Sequence, residues 1–378
     1  AGGPTTDAMA AFGNVNVGGN AGAHLTTGNH NTNLGTYAGG WTGSGSNNTF
    51  LGSEAGGINL NVGTQPYPAR AGQQNIAIGY RAYGYGIASQ DVAIGYQTGN
   101  NLSNTGDDDT QILPMGRTAI GARAMAGTPD FPTDRHTAAT HAVAIGYEAF
   151  QYPGSTAASV GSNYGNQVFI GGNAGKGATG TSSTAPTVGQ IGIGGLALQD
   201  NEGRAFTTAI GYKSCYVKNN ATTDTRGVYI GNESGTNSNA TVTGEANIAI
   251  GYKAQGFNTT GIIEGHTIAI GTEDSIAIGR DSIASAGTGI DDSIAIGHNA
   301  RSEAISSIAL GRGANVQHSY SVGIGDAATT DANNQIAFGS IINGRNLGTV
   351  TQTAVSTEAY WEVKINGTDY RILLGNVN

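Results

Sequence analysis

Four glycines, Gly297, Gly311, Gly325 and Gly339, stand 14 residues apart, each led by an apolar, a small and another apolar residue, as in "SIAIG" and "SIALG". Alternation over three residues predicts a short strand, and the glycine predicts the turn that ends it. Fourteen residues suffice for two such strands and two tight turns. A unit of that kind cannot bury itself alone, so its recurrence predicts stacking of like unit on like unit.

Taking the glycine as anchor, 19 candidates run along the chain: Gly18, Gly35, Gly52, Gly79, Gly95, Gly121, Gly146, Gly161, Gly171, Gly194, Gly211, Gly231, Gly251, Gly271, Gly279, Gly297, Gly311, Gly325 and Gly339. Columns outside the search pattern recur as well. Three residues before the anchor stands Val, Ile or Thr in 18 of 19 cases, Ala158 being the exception; three after it stands Ala in 12. Ser214, Ser234, Ser282 and Thr98 extend that small-residue column, while Tyr164, Asp274 and Ile342 break it. Spacings longer than 14 predict insertions, mostly polar, as in "NNLSNTGDDDTQILPMGR" and "GTPDFPTDRHTAATH". Gly271 and Gly279, only 8 apart, cannot both anchor full coils.

Composition agrees with many strands and tight turns. Among 378 residues 63 are Gly and 11% are charged, but glycine does not fall on every third position, which excludes collagen. The charge is too low for a disordered chain. A formal charge of −9 with scattered Lys and Arg argues against nucleic acid as a partner. No run approaches the ~20 apolar residues of a membrane helix, so no membrane insertion is expected. The amino end, "AGGPTTDAMA", lacks Met and a signal-peptide pattern, which reads as a processed chain or part of a larger one. The single cysteine, Cys215, cannot form an intrachain disulfide and is expected at a surface edge.

A narrow coil has room for alanine and none for stacked isoleucines. Ala295, Ala300 and their column mates are therefore expected inside. The apolar strand pairs are then expected outside, forming a stripe that includes Ile276, Ile278, Ile294, Ile296, Ile308, Leu310, Val322 and Ile324. Such a stripe exceeds what a monomer leaves exposed. Burying it at ~25 cal/mol per Å² would drive association, and those eight residues are the expected trimer core. The alternative puts Ile inside and Ala outside, in a monomeric β-helix.

The units "SIAIGHNARSEAIS", "SIALGRGANVQHSY" and "SVGIGDAATTDANN" resemble the head repeat of trimeric autotransporter adhesins (the YadA-like left-handed parallel β-roll), closely over residues 245–342 and more loosely back to about residue 15. The resemblance implies an all-β, left-handed parallel β-roll or solenoid of ~14-residue coils with loop insertions, a homotrimer, and binding to host surfaces. No heptad stalk or membrane barrel follows in this sequence. Instead Trp361–Ile365, Asn366-Gly367 and Tyr370–Leu374 predict a β-hairpin with a type I′ turn. That ending resembles the short carboxy-terminal hairpin of phage structural proteins and would cap the last coil. The organisation expected is a lead-in over 1–14, a repeat domain over 15–342 (loop-rich over 15–244, regular over 245–342) and a carboxy-terminal segment over 343–378.

Catalytic patterns are sparse, and an enzyme is not expected. His136 and His141 lie in an insertion without metal-ligand spacing, and "GNAGKGATGTSS" lacks the GK[ST] of a phosphate loop. Asp107, Asp108 and Asp109, with Asp130 and Asp134, are a candidate calcium site; no other cofactor is expected. Aromatic residues are better placed for recognition. Tyrosine follows the anchor at Tyr80, Tyr96, Tyr147, Tyr212 and Tyr252, and insertions add Trp41, Tyr67, Tyr83, Tyr85, Phe131 and Tyr152. Such rings stack on sugars or form a structural ladder. From these residues the candidate ligand-binding set is Tyr80, Tyr96, Tyr147, Trp41, Asp107, Asp108, Asp109 and Phe131. The function expected is an extracellular trimeric fibre or spike segment of a virion, displaying loops to a host cell-surface glycan or protein and touching other virion or fibre proteins. The alternatives are a bacterial adhesin head and an inert fibre spacer.

Overall fold

The computed structural model describes residues 11–40, 42–56, 72–83, 89–99, 116–126, 141–151, 166–176, 189–199, 206–216, 226–235, 248–254, 275–284 and 292–339 in full, and the strand backbones 244–245, 261–263, 266–268, 272–273, 360–365 and 368–373. Among the described residues there is no helix. Seventeen three-residue strands, from Val15–Val17 to Ile336–Phe338, form one sheet in which each strand pairs in parallel with the next along the chain. Pairing is in register, like over like: Ile294 on Ile308 on Val322, and Ala295 on Ala309 on Gly323. Sixteen steps at ~4.8 Å make a stack of about 77 Å. A second, shorter sheet joins Ile283–Ala284, Arg301–Ser302 and Asn315–Val316 on the opposite wall of three successive coils. The fold is an all-β parallel β-solenoid.

Among the described residues there are seventeen coils rather than the nineteen counted from sequence. Val143–Ile145 pairs directly with Val168–Ile170, which leaves no strand of this sheet for the Gly161 candidate, itself outside the described residues. Ile248–Ile250 pairs directly with Ile276–Ile278, so Gly279 is the anchor, and the Gly271 candidate lies outside the described residues. Between those two strands Gly261–Ile263 pairs antiparallel with His266–Ile268. Near the carboxyl end Tyr360–Ile365 and Thr368–Leu373 pair antiparallel as the expected hairpin, with Ile365 opposite Thr368.

The anchor must be glycine for two reasons. Gly297 and Gly311 have φ of 141° and 142°, a region that side chains disfavour. A Cβ on either would also overlap the carbonyl oxygen of the anchor one coil on, Gly311 and Gly325 respectively. Their N–H groups hold the ladder, Gly311 N donating to Ile296 O and Gly325 N to Leu310 O, each at 2.8 Å. Gly311→Ala is expected to cost at least the roughly 1–3 kcal/mol of backbone strain and to loosen the coils on either side. Hydrogen exchange should show lost protection at Gly311, Gly325 and their strand neighbours, with protection near Val15 unchanged.

Orientation follows the alternation. Ala295, Ala300, Ala309 and Ala314 are wholly buried, whereas Ile296 and Ile324 are 39% and 37% exposed and Ile276, Ile278, Ile294, Ile308, Leu310 and Val322 are half-buried. Alanine therefore faces the lumen and the Ile pairs face out, which removes the monomeric alternative with Ile inside.

The lumen is not restricted to alanine, contrary to the sequence expectation. Phe50, Phe169 and Tyr229 point inward from the middle of their strands. Each meets a glycine four residues after its anchor: a Cβ on Gly56, Gly175 or Gly235 would overlap its ring. Where the strand middle is small, that later position is large instead, as in Ala77 with Tyr83, Ala119 with Met125, Ala144 with Phe150, and Gly192 with Leu198. One lumen volume is thus filled from either of two positions, and core density is kept. Cys215 occupies the same later position opposite Ala209 and is wholly buried, which corrects its placement at a surface edge.

A second inward column is polar. The residue just before each strand runs Asn14, Asn31, Asn48, Asn75, Asp91 and Arg117 in successive coils. Each of the first five side chains accepts from the next coil's backbone: Asn31 N to Asn14 Oδ1 at 2.8 Å, Asn48 N to Asn31 Oδ1 at 3.0 Å, Asn75 N to Asn48 Oδ1 at 2.9 Å, Asp91 N to Asn75 Oδ1 at 3.0 Å, and Arg117 N to Asp91 Oδ1 at 2.9 Å. These ladders satisfy donors that a buried coil corner would otherwise strand. Arg117, 1% exposed, also pairs with Asp91 through Nε at 3.1 Å and through Nη2, and Tyr83 Oη donates to Asp91 Oδ2 at 3.0 Å. Burial works to lower the Arg117 pKa, but Asp91 and Tyr83 together outweigh it and the net direction is upward. This pair sits where both filling positions, Ala93 and Gly99, are small.

Candidate functional site

The surface feature with a regular geometry is the corner that follows each anchor. The residue after the glycine lies outside the coil, and stacking in register brings these residues into a row: Ser53, Tyr80, Tyr96, Ala122, Tyr147, Gly172, Gly195, Tyr212, Asn232, Tyr252. Tyr80, Tyr96 and Tyr147 are 40%, 51% and 55% exposed. Tyr80 and Tyr96, in adjacent coils, stack with ring centroids 5.7 Å apart and planes 22° from parallel. The five tyrosines are thus exposed, as a recognition row requires, and two of them also form a ladder.

Cations accompany the rings. The next residue takes a left-handed conformation, φ 51° at Arg81, Lys213 and Lys253, which turns its side chain back along the corner. Arg81 lies 5.1 Å from the centre of the Tyr80 ring, and Lys213 and Lys253 lie 5.5 Å from those of Tyr212 and Tyr252. Arg81 also pairs with Glu54 one coil back. Glu148, nearly buried, receives Arg123 Nη1 at 3.2 Å on one oxygen and Lys176 Nζ on the other. Burial pushes its pKa up, but hydrogen bonds from Lys176 and Tyr147 and the charges of Lys176 and Arg123 bring it below the usual carboxylate value.

Other sequence candidates fall elsewhere. Tyr83 is 2% exposed, its hydroxyl on Asp91; it fills the lumen and does not belong to a recognition surface. Trp41, Asp107, Asp108, Asp109 and Phe131 lie outside the described residues, as do Tyr67, Tyr85, Asp130, Asp134, His136 and Tyr152. Among the described residues no group of three His, Cys, Asp or Glu side chains could hold a metal ion. No helix among them is long and apolar enough to cross a membrane. The buried polar column, with its Asp91–Arg117 pair, was missed from sequence, although Asn, Asp, Gln and Ser recur four residues before the anchors.

Comparison with protein-family models gives no match, and neither does comparison with curated proteins. Among solved structures the chain is similar to the collagen-binding domain of the Yersinia adhesin YadA, at 19% identity over 51% of this chain and 76% of that one, with a TM-score of 0.26. The solenoid assignment rests on the sheet itself: seventeen parallel strands paired in chain order, with a glycine directly after each.

Proposed function

We propose that this chain is a non-catalytic, trimeric, extracellular fibre or spike segment, carried on a virion, that displays loops and a tyrosine row to a host cell-surface glycan. One observation carries the display reading: the ladder passes in register across every insertion. Ile145 pairs with Ile170, and Ile250 with Ile278, although the intervening chain exceeds one 14-residue coil. The described part of an interrupted coil ends three to five residues after its anchor, past the position of the tyrosine row. A scaffold that accepts insertions there without losing register can vary what it presents while its core stays fixed.

Assembly follows from the outward stripe. Ile276, Ile278, Ile294, Ile296, Ile308, Leu310, Val322 and Ile324 form one continuous apolar band of half-buried to exposed side chains. Three such bands meeting on an axis would remove it from water, and three copies would multiply each weak ligand contact. Light scattering on the purified protein should give three times the chain mass. Ile308→Asp, outward on the stripe, should reduce that to one while the far-ultraviolet circular dichroism keeps its β signature. A wild-type chain that stays monomeric at tens of micromolar would refute the trimer.

Binding of the purified protein to a glycan array and to intact bacterial cells tests recognition. Versions in which Asn100–Gly116 and Thr128–His141 are shortened to tight turns separate loop from row. Signal lost on shortening assigns binding to the loops, and signal kept assigns it to the corner row. An absence of signal from the correctly assembled wild type would leave the protein a spacer.

A further inference from the structure

The tyrosine row has one gap, a single coil wide, that is floored by a methyl group. Tyr96, Ala122 and Tyr147 stand in three successive coils, held in register by Val92 on Thr118 on Val143. At ~4.8 Å per coil the two tyrosine positions are about 9.6 Å apart. A ring midway between them would lie about 4.8 Å from each, inside the 4.5–7 Å range in which rings make contact. Where two adjacent positions both carry tyrosine, Tyr80 and Tyr96, the rings close on each other at 5.7 Å and leave no such space. The corresponding place between Tyr212 and Tyr252 is taken by the longer, polar Asn232. Tyr96 and Tyr147 are also more exposed than Tyr80.

Charge selects what could enter. Arg123 directly follows Ala122, and its guanidinium gives one nitrogen to Glu148 while the side chain stays one-third exposed. Glu148 takes only Nη1, so Arg123 Nε and Nη2 remain available to a second acceptor, one residue along the chain from Ala122. Tyrosine faces attract the C–H bonds of a saturated ring, and a guanidinium fork matches a carboxylate.

We infer that Tyr96, Ala122, Tyr147 and Arg123 form a site for one carboxylate-bearing pyranose, a uronic-acid unit of a surface polysaccharide. The inference rests on the glycan-binding reading above and names its ligand class. The ring lies between Tyr96 and Tyr147, and its carboxylate accepts from Arg123.

Titration calorimetry of the full-length protein with a mannuronate hexasaccharide, and with cellohexaose as the neutral control, tests this. Ala122→Tyr fills the gap with the residue that five other coils already carry, so folding should persist with an unchanged unfolding midpoint. Mannuronate affinity should fall at least tenfold in that variant. Tyr96→Ala, which removes a wall instead of filling the space, should cause a similar loss, and Arg123→Gln should abolish the preference over cellohexaose. Equal mannuronate binding in wild type and Ala122→Tyr overturns the site while glycan binding elsewhere stands. Cellohexaose bound as tightly as mannuronate overturns the acidic specificity. If neither sugar binds the wild type, the site is wrong, and the glycan array then decides whether the broader reading fails with it.

Discussion

Arg117→Met should lower the stability of this protein by about 3–5 kcal/mol, most of it charged to the partner left behind. The substitution keeps length and apolar stem, so little packing is lost. What it strands is the Asp91 carboxylate, 3% exposed, which retains the Tyr83 hydroxyl and the residue 117 N–H but no cation. Asp91→Asn alone should be comparably harmful, because it strands the Arg117 guanidinium, whose Nη1 already lacks a partner among the described residues. Combined, Asp91→Asn and Arg117→Met remove both charges, and the side-chain amide introduced at position 91 would extend the column of Asn31, Asn48 and Asn75 by one more coil. Replacing a buried ion pair by neutral groups of similar volume is often neutral or stabilising, so the double variant should lie within about 1 kcal/mol of wild type. Urea unfolding at fixed protein concentration reads all four forms, since assembly would otherwise contribute by mass action. Additive losses in the double variant would show that the pair is not the closed unit described.

Much of the fold was legible because each coil restates the same steric demands. The anchor glycines, the outward Val/Ile/Thr and the inward Ala were read from three columns, and the structure places those side chains on the faces expected. The same columns are broken at both discarded candidates, by Ala158 and Tyr164 around Gly161 and by Asp274 after Gly271. A break alone does not discriminate, since Ile342 breaks the column of Gly339, whose strand Ile336–Phe338 belongs to the sheet. Two features were harder to see. The polar column required noticing that Asn at a coil corner accepts from the backbone of the next coil, a contact between residues 16 to 27 apart in sequence. The lumen rule required reading two positions together, since Phe169 is out of place in its column until Gly175 is considered with it. Of the candidate surface, the tyrosine row was legible in sequence but Tyr83 was not, because an aromatic four residues after an anchor faces in whereas one residue after it faces out. The gap at Ala122 becomes visible only once the coils are in register.

If one lumen volume is shared between two positions, moving its side chain from one to the other should be tolerated where each single change is not. Phe169→Ala is expected to cost about 3–5 kcal/mol, from lost burial and from the cavity left in an otherwise filled core. It also removes the ring that Phe150 packs against at a centroid distance of 4.7 Å. Gly175→Leu should destabilise by at least roughly 1–3 kcal/mol, because its Cβ would overlap the Phe169 ring and the core has no slack to receive it. In the double variant the leucine enters the space the ring has vacated. The backbone at Gly175, φ 61°, is the conformation that Leu198, Met125 and Phe150 already adopt at 54°, 51° and 50° in the same position of their own coils. Gly192, which a Cβ would bring within 2.9 Å of the Phe169 ring, leaves further room beside it. The coil would then copy its neighbour, where Gly192 stands opposite Leu198. The two changes should therefore couple favourably by about 2–3 kcal/mol, measured from the four urea midpoints and slopes at one protein concentration. Independence of the two sites would mean that the pairing of large and small across the lumen is incidental. Favourable coupling would make it a rule by which this solenoid admits aromatic residues into a core built for alanine.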